Sequence, residues 1–308
     1  MNKKVLFVDL EVGLKDHKIH DLGALRDDGA VLHSHSVKDF ADFIDDSTFF
    51  CGHNLVHHDL TYLRKTMSLS QIPIDTLYLS PLLFPKKPYH KLLKDDKLQV
   101  DEMNNPVHDC QKCRDLFYDE VNAFSALPEQ LQQIFCDLLF EFEEFSGFFQ
   151  YMGKSVTPTE IHRSFKNLFV NKKDIEKQQV VKDIATYFEG RICANAPLDE
   201  LVSECPKELA YALALIGTAD PHSVTPPWLL FNFPRFDLVL RKLRNSPCEA
   251  GCSYCRQWFN PQENLSKFFG FDEFRTYDGE PLQEMAVKTA VAGESLLAIF
   301  PTGGGKSL

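Results

Sequence analysis

Two apolar rhythms divide this chain, and no single kind of layer accommodates both. Up to about residue 125, short apolar runs of strand length alternate with helical stretches. Val5-Leu-Phe-Val8 reads as a strand, Ala30-Val-Leu-His-Ser-His-Ser36 as strand-like, and Phe49-Phe-Cys-Gly-His53 as a short strand entering a turn. That mixture predicts an α/β domain over residues 1–125. From about 126 to 240 the pattern is helical. Leu131, Phe135, Leu138, Phe142 and Phe145 recur at spacings of four, three, four and three, which predicts one apolar helix face. Gly147 and Gly153 are expected to punctuate that region. Thr157-Pro158-Thr159-Glu160 has the form of a capping box, and Thr225-Pro-Pro227 marks a later break. A cysteine-rich segment over 241–267 and a terminal stretch over 268–308 complete the division.

With 308 residues there is room for two domains with full cores, and 26 Phe predict aromatic interiors. A formal charge of −11 excludes a global positive field, so nucleic acid must be gripped by local basic patches or through bound divalent metal. No apolar run approaches membrane-span length, and because Met1-Asn2-Lys3-Lys4 leads straight into a strand, no signal peptide is expected. Nine cysteines, an odd number, point to reduced thiols or metal ligands rather than disulfides. A cytoplasmic protein without a membrane partner is the expectation.

Chemistry first appears in the acids. Asp9 and Glu11 stand two apart on the first strand, so both side chains leave the same face. Carboxylates so placed repel unless a cation lies between them, which is the requirement of two-metal phosphodiester chemistry with Mg²⁺ or Mn²⁺. Some fifty residues on comes Gly52-His53-Asn54-Leu-Val-His57-His58-Asp59-Leu60, and later Asn104-Asn105-Pro106-Val107-His108-Asp109, entering a helix. In this order the segments resemble the DEDD 3′–5′ exonuclease superfamily, with Ile19-His-Asp-Leu-Gly-Ala24 and Ile74-Asp-Thr-Leu77 at suitable places. The resemblance covers residues 1–125. It implies a ribonuclease-H-like fold in which Asp9, Glu11, Asp59 and Asp109 bind the metals. The chain departs from it at one point. The family carries a His five residues, or a Tyr four residues, before the last Asp, and here those positions are Asn104 and Asn105, neither a base at neutral pH. His108 neighbours Asp109 but diverges from it on a helix, and His57 and His58 read as surface or packing residues. Lys86-Lys87-Pro-Tyr-His90-Lys91-Leu-Leu-Lys94 reads as a solvated loop, with phosphate contact by its lysines and stacking on Tyr89 as the sharper alternative.

Cys248-Glu-Ala-Gly-Cys252-Ser-Tyr-Cys255 is the strongest metal signal, three thiols within eight residues around a glycine turn. Structural zinc is the expectation. Cys193, in the loop past Gly190, is chosen as fourth ligand over Cys205 and His222. The spacing also fits the cysteine motif of radical S-adenosylmethionine enzymes, but its position between a helical region and a nucleotide loop does not suit their barrel. Cys110-Gln-Lys-Cys113 shares one helix face and reads as buried thiols, and Cys51 and Cys136 read as core.

The chain closes on Ala298-Ile-Phe-Pro-Thr-Gly-Gly-Gly-Lys-Ser-Leu308, an apolar strand expected to feed a phosphate loop. With Phe269-Gly-Phe-Asp-Glu-Phe-Arg275 and Leu282-Gln283 upstream, this end resembles the opening of RecQ-family superfamily 2 DNA helicases. The resemblance implies that Gln283 reads the adenine of ATP, supported by Arg275, and that Gly305, Lys306 and Ser307 hold phosphate and Mg²⁺. The chain is then expected to be the front of a longer bacterial RecQ-type helicase, unable by itself to hydrolyse ATP. Its own activity would be 3′–5′ trimming of DNA, single-stranded or 3′-tailed. The competing expectation is a decayed exonuclease fold that binds DNA or assists assembly.

Overall fold

The computed structural model describes residues 3–13, 15–44, 47–92, 105–156, 172–218 and 225–300. Five strands form one mixed sheet in the order β3-β2-β1-β4-β5: β1 (Val5–Val12), β2 (Ile19–Arg26), β3 (Val31–Ser34), β4 (Phe49–Gly52) and β5 (Ile72–Asp75). The first three are antiparallel neighbours, while β4 runs parallel to β1 and β5 parallel to β4. All the strands expected from the sequence of this region form, and flanking helices make it an α/β unit.

Alternation along β1 sorts the molecule into layers. Leu6, Val8 and Leu10 join Leu22, Ala24 and Phe50 beneath α1 (Val37–Phe43) and α2 (Asp59–Thr66), which contribute Phe40, Leu60 and Leu63. Val5 and Phe7 face the other way with Leu25, Cys51 and Ile74, into the larger core. That side is covered by α3 (Thr76–Leu83) and the long α4 (Pro106–Ala126), whose Cys110, Cys113, Phe117 and Phe124 are buried. Each fully buried aromatic or aliphatic side chain there is worth about 1.5–3 kcal/mol relative to exposure.

The expected single helix over 131–145 is two. α5 (Glu129–Leu139) carries buried Leu131, Phe135 and Leu138, the chain turns through Phe142 in extended conformation, and α6 (Glu143–Tyr151) buries Phe145. The three-four spacing survives the break because both helices face the same core. Packing against the sheet explains the turn. α6 lies on β5 so closely that a Cβ on Gly147 would collide with the Pro73 carbonyl oxygen. Gly147 therefore permits a close approach inside a helix, and Gly153, at φ 72°, follows the helix end.

The helical region continues through α7 (Lys172–Tyr187), α8 (Leu198–Glu204), α9 (Pro206–Gly217), α10 (Pro227–Asn232) and α11 (Phe236–Leu240). Its core is continuous with that of the sheet. The Tyr211 hydroxyl of α9 donates to the Tyr78 carbonyl at 2.9 Å, and Glu144 of α6 accepts from both His57 and Lys207, at 2.9 and 2.8 Å. The proposed capping box over 157–160 lies outside the described residues.

Beyond a π-helical turn at Arg241–Asn245 come α12 (Ser253–Trp258), α13 (Pro261–Asn264) and α14 (Leu282–Val291). The strand expected at 296–300 is not formed. Residues 294–300 have no regular structure, and Leu297 and Ile299 are more than four-fifths exposed. An apolar run becomes a strand only when a neighbour takes its backbone hydrogen bonds, and no described strand lies beside it. No helix among the described residues is long and apolar enough to cross a membrane.

Candidate metal centres

The larger-core face of β1 changes character along the strand. Val5 and Phe7 are buried, and the next two residues on that face are Asp9 and Glu11, each partly exposed at the strand's C-terminal end. Asp109, in the first turn of α4, meets them there. Carboxylate oxygens of Asp9, Glu11 and Asp109 all lie within 4.8 Å of one another. One strand and one helix start thus supply three negative charges to a space the size of a cation shell.

The meeting depends on a glycine. Gly23 of β2 stands directly across from Asp9, and the start of α4 lies against it. A Cβ at Gly23 would stand 2.5 Å from the Pro106 carbonyl carbon and 2.7 Å from the Val107 nitrogen. Only glycine lets the helix start this close to the acids. Asn105 completes the start as N-cap, its Oδ1 accepting from the Val107 N–H at 3.0 Å. Asn105, one of the two positions singled out in the sequence, is therefore a helix cap; Asn104 lies outside the described residues. His108 is exposed on the same turn.

Asp59, the fourth acid expected at the site, falls outside the three that lie within 4.8 Å of one another but is their near neighbour: it accepts from the Leu10 backbone, between Asp9 and Glu11, and its charge reaches the Cys110 thiol together with those of Asp9 and Asp109. It opens α2, which packs on the opposite face of the sheet, and its side chain is almost wholly buried. Burial pushes its carboxyl up to about 6, against the opposing effects of a 2.9 Å hydrogen bond from His58 Nδ1 and of the Leu10 backbone. That same hydrogen bond raises His58, against its partial burial, with the charges of Asp59 and Glu11 adding to the rise.

Asp75, the last residue of β5, secures the turn leading to Asp59. Its carboxylate accepts from the N–H groups of Asn54, Val56 and Leu77 at 2.9, 3.0 and 3.1 Å, and Asn54 sits at φ 70°. Burial pushes Asp75 up to about 7 even so. Neither Gly23 nor Asp75 stood out in the sequence for these roles. The only signal was a glycine within an otherwise regular strand and an acid ending an apolar one.

Four thiols form the second centre. Cys193, Cys248, Cys252 and Cys255 place their sulfurs within 4.8 Å of one another, so the expected fourth ligand is the one the fold delivers. Cys193 arrives from the loop between α7 and α8, fixed by its N–H donating to the Leu243 carbonyl at 2.7 Å. Gly251, at φ 58°, turns the chain between Cys248 and Cys252. N–H groups point at the sulfurs: Cys252 N and Asn195 Nδ2 at Cys248, both 3.3 Å, and Cys248 N at Cys255, 3.4 Å. The Cys252 N–H, then the Asn195 amide, bring the Cys248 thiol down to about 6, while burial raises Cys193. The 3.7 Å separation of the Cys193 and Cys252 sulfurs matches the edge of about 3.8 Å of a tetrahedron with 2.3 Å metal–sulfur bonds. A multi-iron cluster needs its thiolates spread around several irons. Cys205 is buried elsewhere, between α8 and α9, and His222 lies outside the described residues. Cys51, Cys110, Cys113 and Cys136 are core residues, as expected.

At the C-terminal end, Gln283 is 4% exposed and its Oε1 accepts from the Arg275 N–H at 2.8 Å, joining the two residues expected to act together. Gly305, Lys306 and Ser307 lie outside the described residues. In the basic loop His90 is buried against Ser80, and Tyr89 is exposed. Set beside protein-family models, characterised proteins and solved structures, the chain matches none. Its chemistry must be argued from the two side-chain clusters themselves.

Proposed function

We propose that the sheet domain is a divalent-metal-dependent phosphodiesterase of the DEDD 3′–5′ exonuclease type, acting on single-stranded or 3′-tailed DNA as the front module of a RecQ-type ATP-dependent helicase. The observation that carries this reading is the convergence of Asp9, Glu11 and Asp109 within 4.8 Å at the C-terminal end of the central strand. The strand order β3-β2-β1-β4-β5, with β4 and β5 parallel to β1, is compatible with a ribonuclease-H-like fold and supports the reading.

Three clustered carboxylates repel one another, and Mg²⁺ or Mn²⁺ relieves the repulsion. Such ions, when bound, supply Lewis acidity and a hydroxide at neutral pH. The protein's part is to hold the acids, with Asp9 and Glu11 fixed by the sheet and Asp109 by the α4 cap. Asp59 orients His58 through their 2.9 Å hydrogen bond. The cysteine cluster suits one Zn²⁺, tying the segment from Cys248 onward to the helical region through Cys193. ATP belongs to the motor implied by the resemblance at Gln283, Gly305, Lys306 and Ser307. Reduced thiols throughout accord with a cytoplasmic setting.

A second reading, a decayed site that only grips DNA, draws on one fact: Asn105, at one of the two positions where the resemblance would place a base, is engaged as a helix cap. A Mn²⁺-dependent assay on 3′-tailed DNA separates the two. Stepwise shortening from the 3′ end, lost in Asp9→Ala, is expected of the nuclease. No products under any divalent ion would remove that reading and leave the binding module.

A further inference from the structure

The triad has a neighbour on the sheet that the sequence did not bring forward. Strand pairing sets Glu11 directly across from Asp21, and Asp9 across from Gly23, which in turn faces His33 of β3. Residues paired in this way emerge on the same face, so Asp21 and His33 share the face of the metal-binding acids. Asp21 is nearly enclosed, its side chain 16% exposed, and two imidazoles close on it. His33 Nε2 lies 2.8 Å from Oδ2, and His35 Nδ1 lies 3.5 Å from Oδ1 while also meeting the His20 carbonyl at 2.8 Å. Carboxylate and carbonyl oxygens only accept, so those ring nitrogens carry hydrogen. The second nitrogen of each ring, His33 Nδ1 and His35 Nε2, is an acceptor in the neutral imidazole and becomes an outward donor to a phosphate oxygen in the imidazolium. The ring centroids stand 6.1 Å apart, and both side chains are well exposed.

We infer that His33 and His35, anchored by Asp21, form a phosphate-binding shoulder that holds the nucleic-acid strand beside the acid triad; this rests on reading the triad as a phosphodiester-hydrolysing centre. Two strand spacings separate β1 from β3, about 10 Å at the backbone, which suits a phosphate next to the reacting one on the same strand. The hairpin turn at the Glu11–Asp21 end adds exposed Lys15 and Lys18. A chain of net charge −11 that must bring a polyanion to three carboxylates needs local cationic donors at that place, which Lys15, Lys18 and the two imidazoles in their protonated form can supply. A metal ion is the poorer occupant. The compact ligand groups among the described residues are the triad and the four cysteines, and neither includes these histidines.

The test uses the protein with a single-stranded oligonucleotide in Ca²⁺, read by fluorescence anisotropy across a salt series. A p-nitrophenyl ester of thymidine 5′-phosphate in Mn²⁺ is the second probe, since it lacks the adjoining phosphate. The double variant His33→Ala/His35→Ala should bind the oligonucleotide about tenfold more weakly, and its salt dependence should be shallower by about 0.7 per lost contact. Hydrolysis of the small ester should be unchanged. His33→Gln/His35→Gln should fall with the alanine variant and melt with the wild type, which separates lost contacts from lost folding. Wild-type affinity and slope in both variants would overturn the shoulder, as would equal loss on the small ester, or a wild-type protein that binds no oligonucleotide. Binding that depends on the histidines, with neither substrate hydrolysed, would uphold the shoulder and remove the hydrolytic reading instead.

Discussion

Gly23 and Pro106 are in contact where the central sheet meets α4, and the absence of a side chain on Gly23 sets the height of the helix above the acids. A Cβ there would lie 2.5 Å from the Pro106 carbonyl carbon, against backbone that cannot rotate aside. Gly23→Ala is expected to lift the first turn of α4 and carry Asp109 away from Asp9 and Glu11. The overpacking cost is about 1–3 kcal/mol. Mn²⁺ affinity should fall further than global stability does. Isothermal titration beside a denaturant melt would check this, and unchanged Mn²⁺ binding would show that Asp109 is not held from Gly23.

A second expectation concerns charge. Asp9, Glu11 and Asp109 crowd their carboxylates within 4.8 Å, and the crowding opposes folding whenever no cation is bound. Asp9→Asn should leave the metal-free protein as stable as the wild type, or more so. Mn²⁺ at a hundred times its dissociation constant should add about 2.7 kcal/mol to the wild type and nearly nothing to the variant. Thermal melts with and without Mn²⁺ read both effects. Equal stabilisation of the two proteins would place the ion elsewhere.

The acids on β1 were legible because strand alternation is a local rule, and so was Asp109, which follows a cap and a proline at a helix start. The four cysteines were legible for a related reason: three lie within eight residues, and the fourth follows a glycine turn. The burial of Asp59 beside the Leu10 backbone was not legible, because it depends on how α2 packs on the sheet, a tertiary choice that no spacing records. Gly23, Asp21 and His33 share a face only through strand register, and register is set by pairing across the sheet. The split at Phe142 has the same origin, since the apolar spacing of α5 and α6 is continuous while the chain bends to lay Gly147 on Pro73. Residues 296–300 failed differently: their composition suits a strand, but no described neighbour completes one.

For the thiol centre, elemental analysis should find about one zinc per chain, following the four-sulfur tetrahedral rule. Cys252→Ser should lose that metal, whereas Cys205→Ser, buried outside the cluster, should keep it. Because Cys193 is joined to Leu243 through the backbone, metal loss should release hydrogen-exchange protection in the segment from Leu243 through α12 before it affects the sheet. Iron in place of zinc, or a metal-free protein with full protection in that segment, would contradict a zinc clamp.

The last expectation is a pH dependence whose sign follows from burial. Asp75 is pushed up to about 7, and an unfolded aspartate titrates near 3.9, so between those values the folded chain holds a proton that the unfolded chain has released. Stability from this group is therefore greatest below about pH 4 and declines as pH rises towards 7. Asp59, raised to about 6, acts in the same direction over a narrower window. His53 and His90 act oppositely: burial lowers both to about 4, so their unfolded forms bind the extra proton and stability rises with pH up to about 6.5. Opposed slopes should leave the wild-type profile shallow between pH 4 and 7. Asp75→Asn keeps an oxygen for two of the three N–H groups but turns an amide donor on the third, at a cost of about 1–3 kcal/mol. Removing the Asp75 titration leaves the histidines less opposed, so the variant's stability should rise more steeply with pH than the wild type's. Urea melts at half-unit steps from pH 4 to 7 measure that difference, and parallel profiles would show that Asp75 titrates alike in the folded and unfolded chain.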